Sequence, residues 1–215
     1  TCALPIFYWV NGSTLEHPDR RTGNALYRND GDRFVDIAES MGVAGRGWGM
    51  GALAVDYDGD GDQDLYVTSL TENILYRNDG SAFVEATQSA GLQVPAWSTG
   101  AAVGDADLDG DLDLYVANYL DFDTNAIEPL GTQWKGRDVF VGPVGLPASP
   151  DVFFRNSGDG TFTEATAASG LDHPEPGYGF GVLFVDVDDD GDGDLYIAND
   201  STPNFLYLNR GDGTF

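Results

Sequence analysis

A chain of 215 residues with 41% hydrophobic and 12% aromatic residues carries enough apolar matter for a packed core, which excludes disorder for want of one. Thirty-six acidic against 10 basic residues give a formal net charge of −26, which excludes nucleic acid and anionic membrane surfaces as partners and favours cations. A single cysteine, Cys2, and two histidines, His17 and His173, exclude an intrachain disulfide and a multi-cysteine zinc site, and disfavour histidine-based metal or acid–base chemistry.

In chain order, residues 3–10 are apolar but fall short of the ~18–20 residues that span a bilayer, and they lack the basic flank of a signal peptide. No membrane span is expected. Residues 6–12 (IFYWVNG) read as a strand. A repeat then begins at Asn24, and its copies cover about 24–72, 73–118 and 151–203, with a partial copy over 204–215. Residues 119–150 form an insertion between the second and third copies.

Each copy has the same internal order. A short β segment such as Ala25–Asn29 leads into an Asn/Asp/Gly turn. A second β segment follows at Phe34, Phe83 or Phe162, and then an Ala/Ser/Gly stretch. A Gly-rich apolar strand such as Gly51–Val55 comes next, followed by an aspartate loop and a strand such as Leu65–Ser69. Four short strands per repeat, with 29 glycines in the chain, predict an all-β fold built from β-propeller blades of four antiparallel strands. The chain reads as starting and stopping mid-blade, so an incomplete propeller is expected, and ring closure within these residues stays open. The whole of 1–215 reads as one propeller-type domain.

Acidity is parcelled, not spread. The loops at 56–64 (DYDGDGDQD), 105–113 (DADLDGDLD) and 186–194 (DVDDDGDGD) hold 16 of the 36 acidic residues. Their pattern is D-x-D-x-D-G-D-x-D. Ca²⁺ takes six to eight oxygens, and carboxylates at positions 1, 3 and 5 of a coiled loop turn inward, with glycine at position 6 for the sharp turn. Position 7 offers its backbone carbonyl, and position 9 closes the shell with another carboxylate. The expected ligands are therefore Asp56, Asp58, Asp60 and Asp64 with the Asp62 carbonyl, and Asp105, Asp107, Asp109 and Asp113 with the Asp111 carbonyl. The third set is Asp186, Asp188, Asp190 and Asp194 with the Asp192 carbonyl, with Asp189 facing water. An EF-hand is excluded, because position 12 is Val67, Val116 or Ile197 rather than Glu, and the flanks are β-like. Mg²⁺ is disfavoured because it keeps several waters. Metal-free acidic turns would leave four carboxylates repelling one another in each of three copies. Three structural Ca²⁺ sites are expected.

These loops, the DLY[VI] strands after them and the Gly-rich strands before them resemble the FG-GAP or VCBS repeats of integrin α-subunit propellers and many bacterial surface proteins. Trp48-Gly49 and Phe180-Gly181 are similar to the FG of that name, whereas the second copy has Trp97-Ser98-Thr99-Gly100. The LYRNDG turns and the FxEAT segments resemble the cartilage acidic protein type. The resemblance implies a β-propeller with Ca²⁺ in loops on one face and an extracellular, cell-surface or periplasmic setting. It also implies a role in adhesion, matrix or surface assembly, with a protein or glycan partner. Self-assembly is a further reading, since a blade begun in one chain can be completed by another.

Other features weigh less. Arg210-Gly211-Asp212 spells an integrin-recognition tripeptide but sits in a repeated turn. Asn11 and Asn199 fit the N-glycosylation pattern. Tyr8, Trp9, Trp48, Trp97 and Tyr178 read as blade core or as a sugar-stacking set. The insertion, with Trp134, Lys135, Arg137 and Phe140, reads as a binding or assembly loop, or as a packing excursion. Cys2 reads as an inert thiol, an intermolecular disulfide partner or a lipid-attachment residue. No catalytic set is visible, so a non-enzymatic module is expected. The rival is the propeller domain of a polysaccharide-acting enzyme or a carbohydrate-binding protein.

Overall fold

In a computed structural model, the described residues are 6–12, 23–45, 47–122, 131–140 and 142–215. The first sheet pairs β1 (Ile6–Trp9), β2 (Ala25–Asn29) and β3 (Phe34–Asp36) in that order, and a one-turn helix α1 (Ala38–Met41) follows. The second sheet is β4 (Gly49–Val55), β5 (Asp64–Ser69), β6 (Ile74–Asn78) and β7 (Phe83–Glu85). The third is β8 (Ser98–Gly104), β9 (Asp113–Asn118), β12 (Val152–Asn156) and β13 (Phe162–Glu164). Between β9 and β12 stands a hairpin of β10 (Gly131–Trp134) and β11 (Arg137–Phe140). The fourth sheet is β14 (Gly179–Val185), β15 (Asp194–Asn199) and β16 (Phe205–Tyr207). All pairings are antiparallel. The fold is all-β, as expected, and no closed barrel forms among the described residues, in keeping with an incomplete propeller.

The sheets are out of phase with the sequence repeat. Each four-stranded sheet starts at a Gly-rich strand and ends on the first two segments of the next copy. The IFYW segment takes the place of the strand after an aspartate loop: Tyr8 pairs with Leu26 as Tyr66 pairs with Leu75.

Burial explains the strand sequences. Every residue of β5 and β9 is buried, because these strands have neighbours on both edges and sheets on both faces. Their apolar side chains fill the seams between blades. Val55, Tyr57, Leu75, Leu114, Val116, Phe154 and Phe162 share one core between the second and third sheets. Ala106, Phe153, Leu195 and Ile197 share another between the third and fourth. Each fully buried Leu, Val, Ile or Phe contributes roughly 1.5–3 kcal/mol by leaving water.

The glycines of the innermost strands have a steric reason. A Cβ on Gly51 would lie 3.0 Å from the Thr99 carbonyl oxygen, and one on Gly100 would lie 3.1 Å from that of Phe180. Neighbouring blades meet backbone to backbone there. Threonines seal the approach: Thr68 Oγ1 donates to the Thr99 carbonyl (3.3 Å) and Thr99 Oγ1 to the Gly179 carbonyl (2.7 Å).

Candidate metal centres

The aspartate loops join the first and second strands of the second, third and fourth sheets, at the same end of each. Position 6 requires glycine, since Gly61, Gly110 and Gly191 have φ of +92°, +99° and +99°. The position-1 carboxylate then caps the turn. Asp56 accepts from the Asp60 and Gly61 N–H groups, Asp105 from those of Asp109 and Gly110, and Asp186 from that of Gly191. The position-5 carboxylates of Asp60, Asp109 and Asp190 accept from the N–H of Asp62, Asp111 and Asp192.

Position 9 is the most buried carboxylate of each loop: Asp64, Asp113 and Asp194 are 0%, 1% and 0% exposed. One oxygen of each accepts from the N–H of position 2 (Tyr57, Ala106, Val187). The other accepts from the N–H of an asparagine on the third strand or just beyond it (Asn78, Asn156, Asn209). Each oxygen has a second lone pair for a cation. Burial pushes the carboxyls of Asp64 and Asp113 up to about 6, against the opposing pull of these N–H bonds.

The loops draw carboxylate oxygens together. Asp56, Asp58 and Asp64 each place one within 4.8 Å of the others, as do Asp186, Asp188 and Asp194. In the middle loop the set is Asp105, Asp107 and Asp109. Asp111 and Asp62 are half-exposed and exposed, and Asp189 is exposed, as expected of a water-facing residue. Among the described residues, three aspartate oxygens are buried without any hydrogen-bond partner, one in each loop: Asp58 Oδ1, Asp107 Oδ1 and Asp192 Oδ1. Burial raises the Asp192 carboxyl to about 6, and the charges of Asp190, Asp194 and Asp188 add to this. An all-oxygen donor set with orphaned, mutually repelling carboxylates fits a hard divalent cation.

The asparagines escape a reading for metal ligands, although each copy repeats one in its RN or LN dipeptide. Asn78 Nδ2 donates to the Gln63 carbonyl of its own loop (3.1 Å), and the side chains of Asn156 and Asn209 also tie neighbouring blades. Asn156 Nδ2 donates to the carbonyls of Leu112 in its own loop and Tyr57 in the preceding one (3.1 and 3.0 Å). Asn209 Nδ2 does the same to Gly193 and Ala106 (3.2 and 2.9 Å).

The remaining sequence candidates lie elsewhere in the fold. Asp212 Oδ1 accepts from the Thr214 N–H and hydroxyl, so Arg210-Gly211-Asp212 closes a turn. Asn11 and Asn199 donate through Nδ2 to the Gly23 and Pro203 carbonyls, at 2.6 and 2.7 Å. Trp48, Trp97 and Tyr178 share one position, each accepting at its carbonyl from the chain beyond the second strand (Leu70, Tyr119 and Asp200). Trp97 packs on Tyr119 and Phe122, and Tyr119 packs on Tyr178. Tyr8 donates to the Val43 carbonyl, and Trp9 is exposed. His173 stacks on Phe205. The insertion leaves the end of β9 opposite the aspartate loops. Its base is zipped by a Leu120–Ala148 bridge, and Lys135 lies in the β10–β11 turn. Cys2 and His17 lie outside the described residues.

No helix of the described residues is long and apolar enough to cross a membrane. A search of curated proteins finds no match to the chain. The sequence model of the FG-GAP-like repeat matches three times, over residues 7–67, 56–116 and 136–197. Each match ends in the second strand of a sheet, just beyond an aspartate loop. Repeats of this kind usually occur in extracellular proteins and serve protein interaction. With three matches spread over most of its length, the chain belongs to the FG-GAP-like repeat family.

Proposed function

We propose that this chain is a non-enzymatic, extracellular interaction module whose blades are stabilised by Ca²⁺ in its three aspartate loops. The observation that carries the reading is the buried, partnerless aspartate oxygen found in every loop beside a cluster of carboxylates. Asp56, Asp58 and Asp64, with Asp60 and the Asp62 carbonyl, would hold the first ion. Asp105, Asp107 and Asp109, with Asp113 and the Asp111 carbonyl, would hold the second. Asp186, Asp188 and Asp194, with Asp190 and Asp192, would hold the third. The ion supplies positive charge, and the loops do the rest. They bring the carboxylates together and fix them with backbone N–H groups. Ca²⁺ that binds the folded loops and not the unfolded chain stabilises the fold by mass action, by about 2.7 kcal/mol at a hundredfold excess over Kd. Removing Ca²⁺ with a chelator should lower the melting temperature by roughly 10 °C or more, and added Mg²⁺ should not restore it. An unchanged melting curve sinks the calcium reading.

The interaction half of the proposal rests on the open face of the fourth sheet. Val55 and Leu75 are 6% and 1% exposed in their seam, whereas the same positions in the fourth sheet, Val185 and Leu206, are 39% and 52% exposed. Val187 and Leu183 extend that apolar face. The first sheet bares the opposite half of a seam, through Phe7, Trp9 and Phe34. The partner we assign to this face is another blade of the same repeat, presenting the face that the first sheet bares, because the two faces continue a seam built three times within the molecule; for residues 1–215 by themselves a second copy supplies it. Sedimentation at millimolar Ca²⁺ should show association that rises with concentration and disappears in Leu206→Glu. A strict monomer at all concentrations removes this partner.

A further inference from the structure

We infer that Arg155 makes the middle loop the weakest of the three calcium sites; this rests on the calcium reading above. Arg155 Nη1 donates to Asp107 Oδ2 at 2.8 Å, and its Nη2 donates to the Gly213 carbonyl of the following turn at 2.8 Å. Among the described residues, no salt bridge reaches the aspartate at position 3 of the other loops.

The cause is one residue. In the first two copies the arginine is followed two residues on by aspartate, and it is captured there: Arg28 Nε donates to Asp30 (2.7 Å) and Arg77 Nε to Asp79 (2.9 Å). In the third copy that aspartate is Ser157, which has no charge to offer. Arg155 turns instead to the carboxylate of Asp107. In the fourth copy the arginine itself is replaced by Leu208.

A guanidinium bonded to a ligand carboxylate has two effects on an incoming cation. It orients the carboxylate, which helps, and it repels the cation, which hinders. Orientation is not what the loop lacks, because the first and third loops gather positions 1, 3 and 9 with no arginine ion-paired to these carboxylates among the described residues, Arg77 being held on Asp79. What remains is charge. Calcium affinity in such loops follows the number of ligand charges, and one unit charge brought within a few ångströms of a divalent ion changes affinity by about tenfold, even at water-like dielectric. The middle loop also differs in composition, since Asp113 is absent from its cluster and Asp109 takes its place. Asp107 Oδ1 stays buried and partnerless, so Arg155 uses one oxygen of this ligand and leaves the other for the ion.

The test is competition between the calcium-loaded protein and a chromophoric chelator at neutral pH, counting ions and their affinities. The wild-type chain should release one ion at a chelator strength about tenfold lower than the other two. Arg155→Leu should bring that ion up to the others, and Asp107→Asn should abolish it alone. Ser157→Asp keeps the arginine but offers it the partner present in the earlier copies, so it should raise the same ion without loss of the Arg155 side chain. Three ions of one affinity, unmoved by Arg155→Leu and Ser157→Asp, overturn the inference while leaving the calcium reading intact. No bound ion at millimolar Ca²⁺ overturns both.

Discussion

The second and third sheets are the same object built twice, and two of the polar positions at which they diverge re-route hydrogen bonds. In the second, Asn73 accepts the Ser69 N–H through Oδ1 and donates through Nδ2 to the Tyr66 hydroxyl. Asn24 and Asn204 do the same with Tyr8 and Tyr196. In the third sheet the residue is Asp151. It still accepts a backbone N–H, from Asn118 at 2.7 Å, but the second bond reverses, and the Tyr115 hydroxyl now donates to Asp151 Oδ2 at 2.9 Å. The other divergence, Asp79 against Ser157, redirects an arginine from its own turn to a neighbouring loop. Both cases teach the same lesson. The apolar frame tolerates a change of polar residue by re-routing hydrogen bonds, and the change surfaces as a difference in charge and not in fold.

The sharpest way to break this picture is to strike where the two sheets agree. Asp64 and Asp113 each hold two backbone N–H groups inside the protein. Asp64→Ala and Asp113→Ala should each destabilise by about 2–6 kcal/mol, since each of the two buried donors left unpaired costs about 1–3 kcal/mol. Denaturant melts of the two variants should agree within about 1 kcal/mol. A mild effect at either would mean that the frames are not equivalent.

A smaller effect sharpens the contrast where they differ. Burial pushes the Asp151 carboxyl up to about 6, from about 4 in an unfolded chain. A carboxyl raised by folding lends its full stability only below the unfolded value, near pH 4, and loses it as the pH rises through about 6. At pH 7.5 the charged form is therefore a burden of about 1–3 kcal/mol, because each tenfold change in proton affinity is worth about 1.4 kcal/mol. Asp151→Asn should stabilise the protein by that amount at pH 7.5 and have little effect near pH 4, measured by melts across the range. Asn73→Asp should impose the same dependence on the second sheet. A flat difference between Asp151→Asn and wild type across pH 4–7.5 would remove the burial account.

Much of this was legible in the sequence. The aspartate spacing, with glycine at position 6, located all three loops, and the DLY strands located the buried centre of each sheet. The strand character of residues 6–12 was legible too, because its aromatic pattern mimics those DLY strands. What the sequence hid was partnership across distance. Nothing local to Asn156 says that its amide will meet Tyr57, 99 residues earlier. Nor does the sequence of Arg155 disclose Asp107, although the loss of an aspartate at Ser157 was a visible cue that the arginine needed a new partner. The sheet boundaries were hidden for a related reason: a repeating unit has no marked start, and only strand pairing decides which four segments share a sheet.

The paired amides of Asn156 and Asn209 reach further than their own hydrogen bonds. Each latches a blade to the loop of its predecessor and to no more distant element, so the array behaves as a one-dimensional chain with nearest-neighbour coupling. In such a chain, lengthening by one unit adds one more latch and one more filled seam, while the number of bare ends stays constant. Stability per unit should therefore climb with repeat number toward a plateau, and damage to one latch should fray the array from that point without dissolving the blades beyond it.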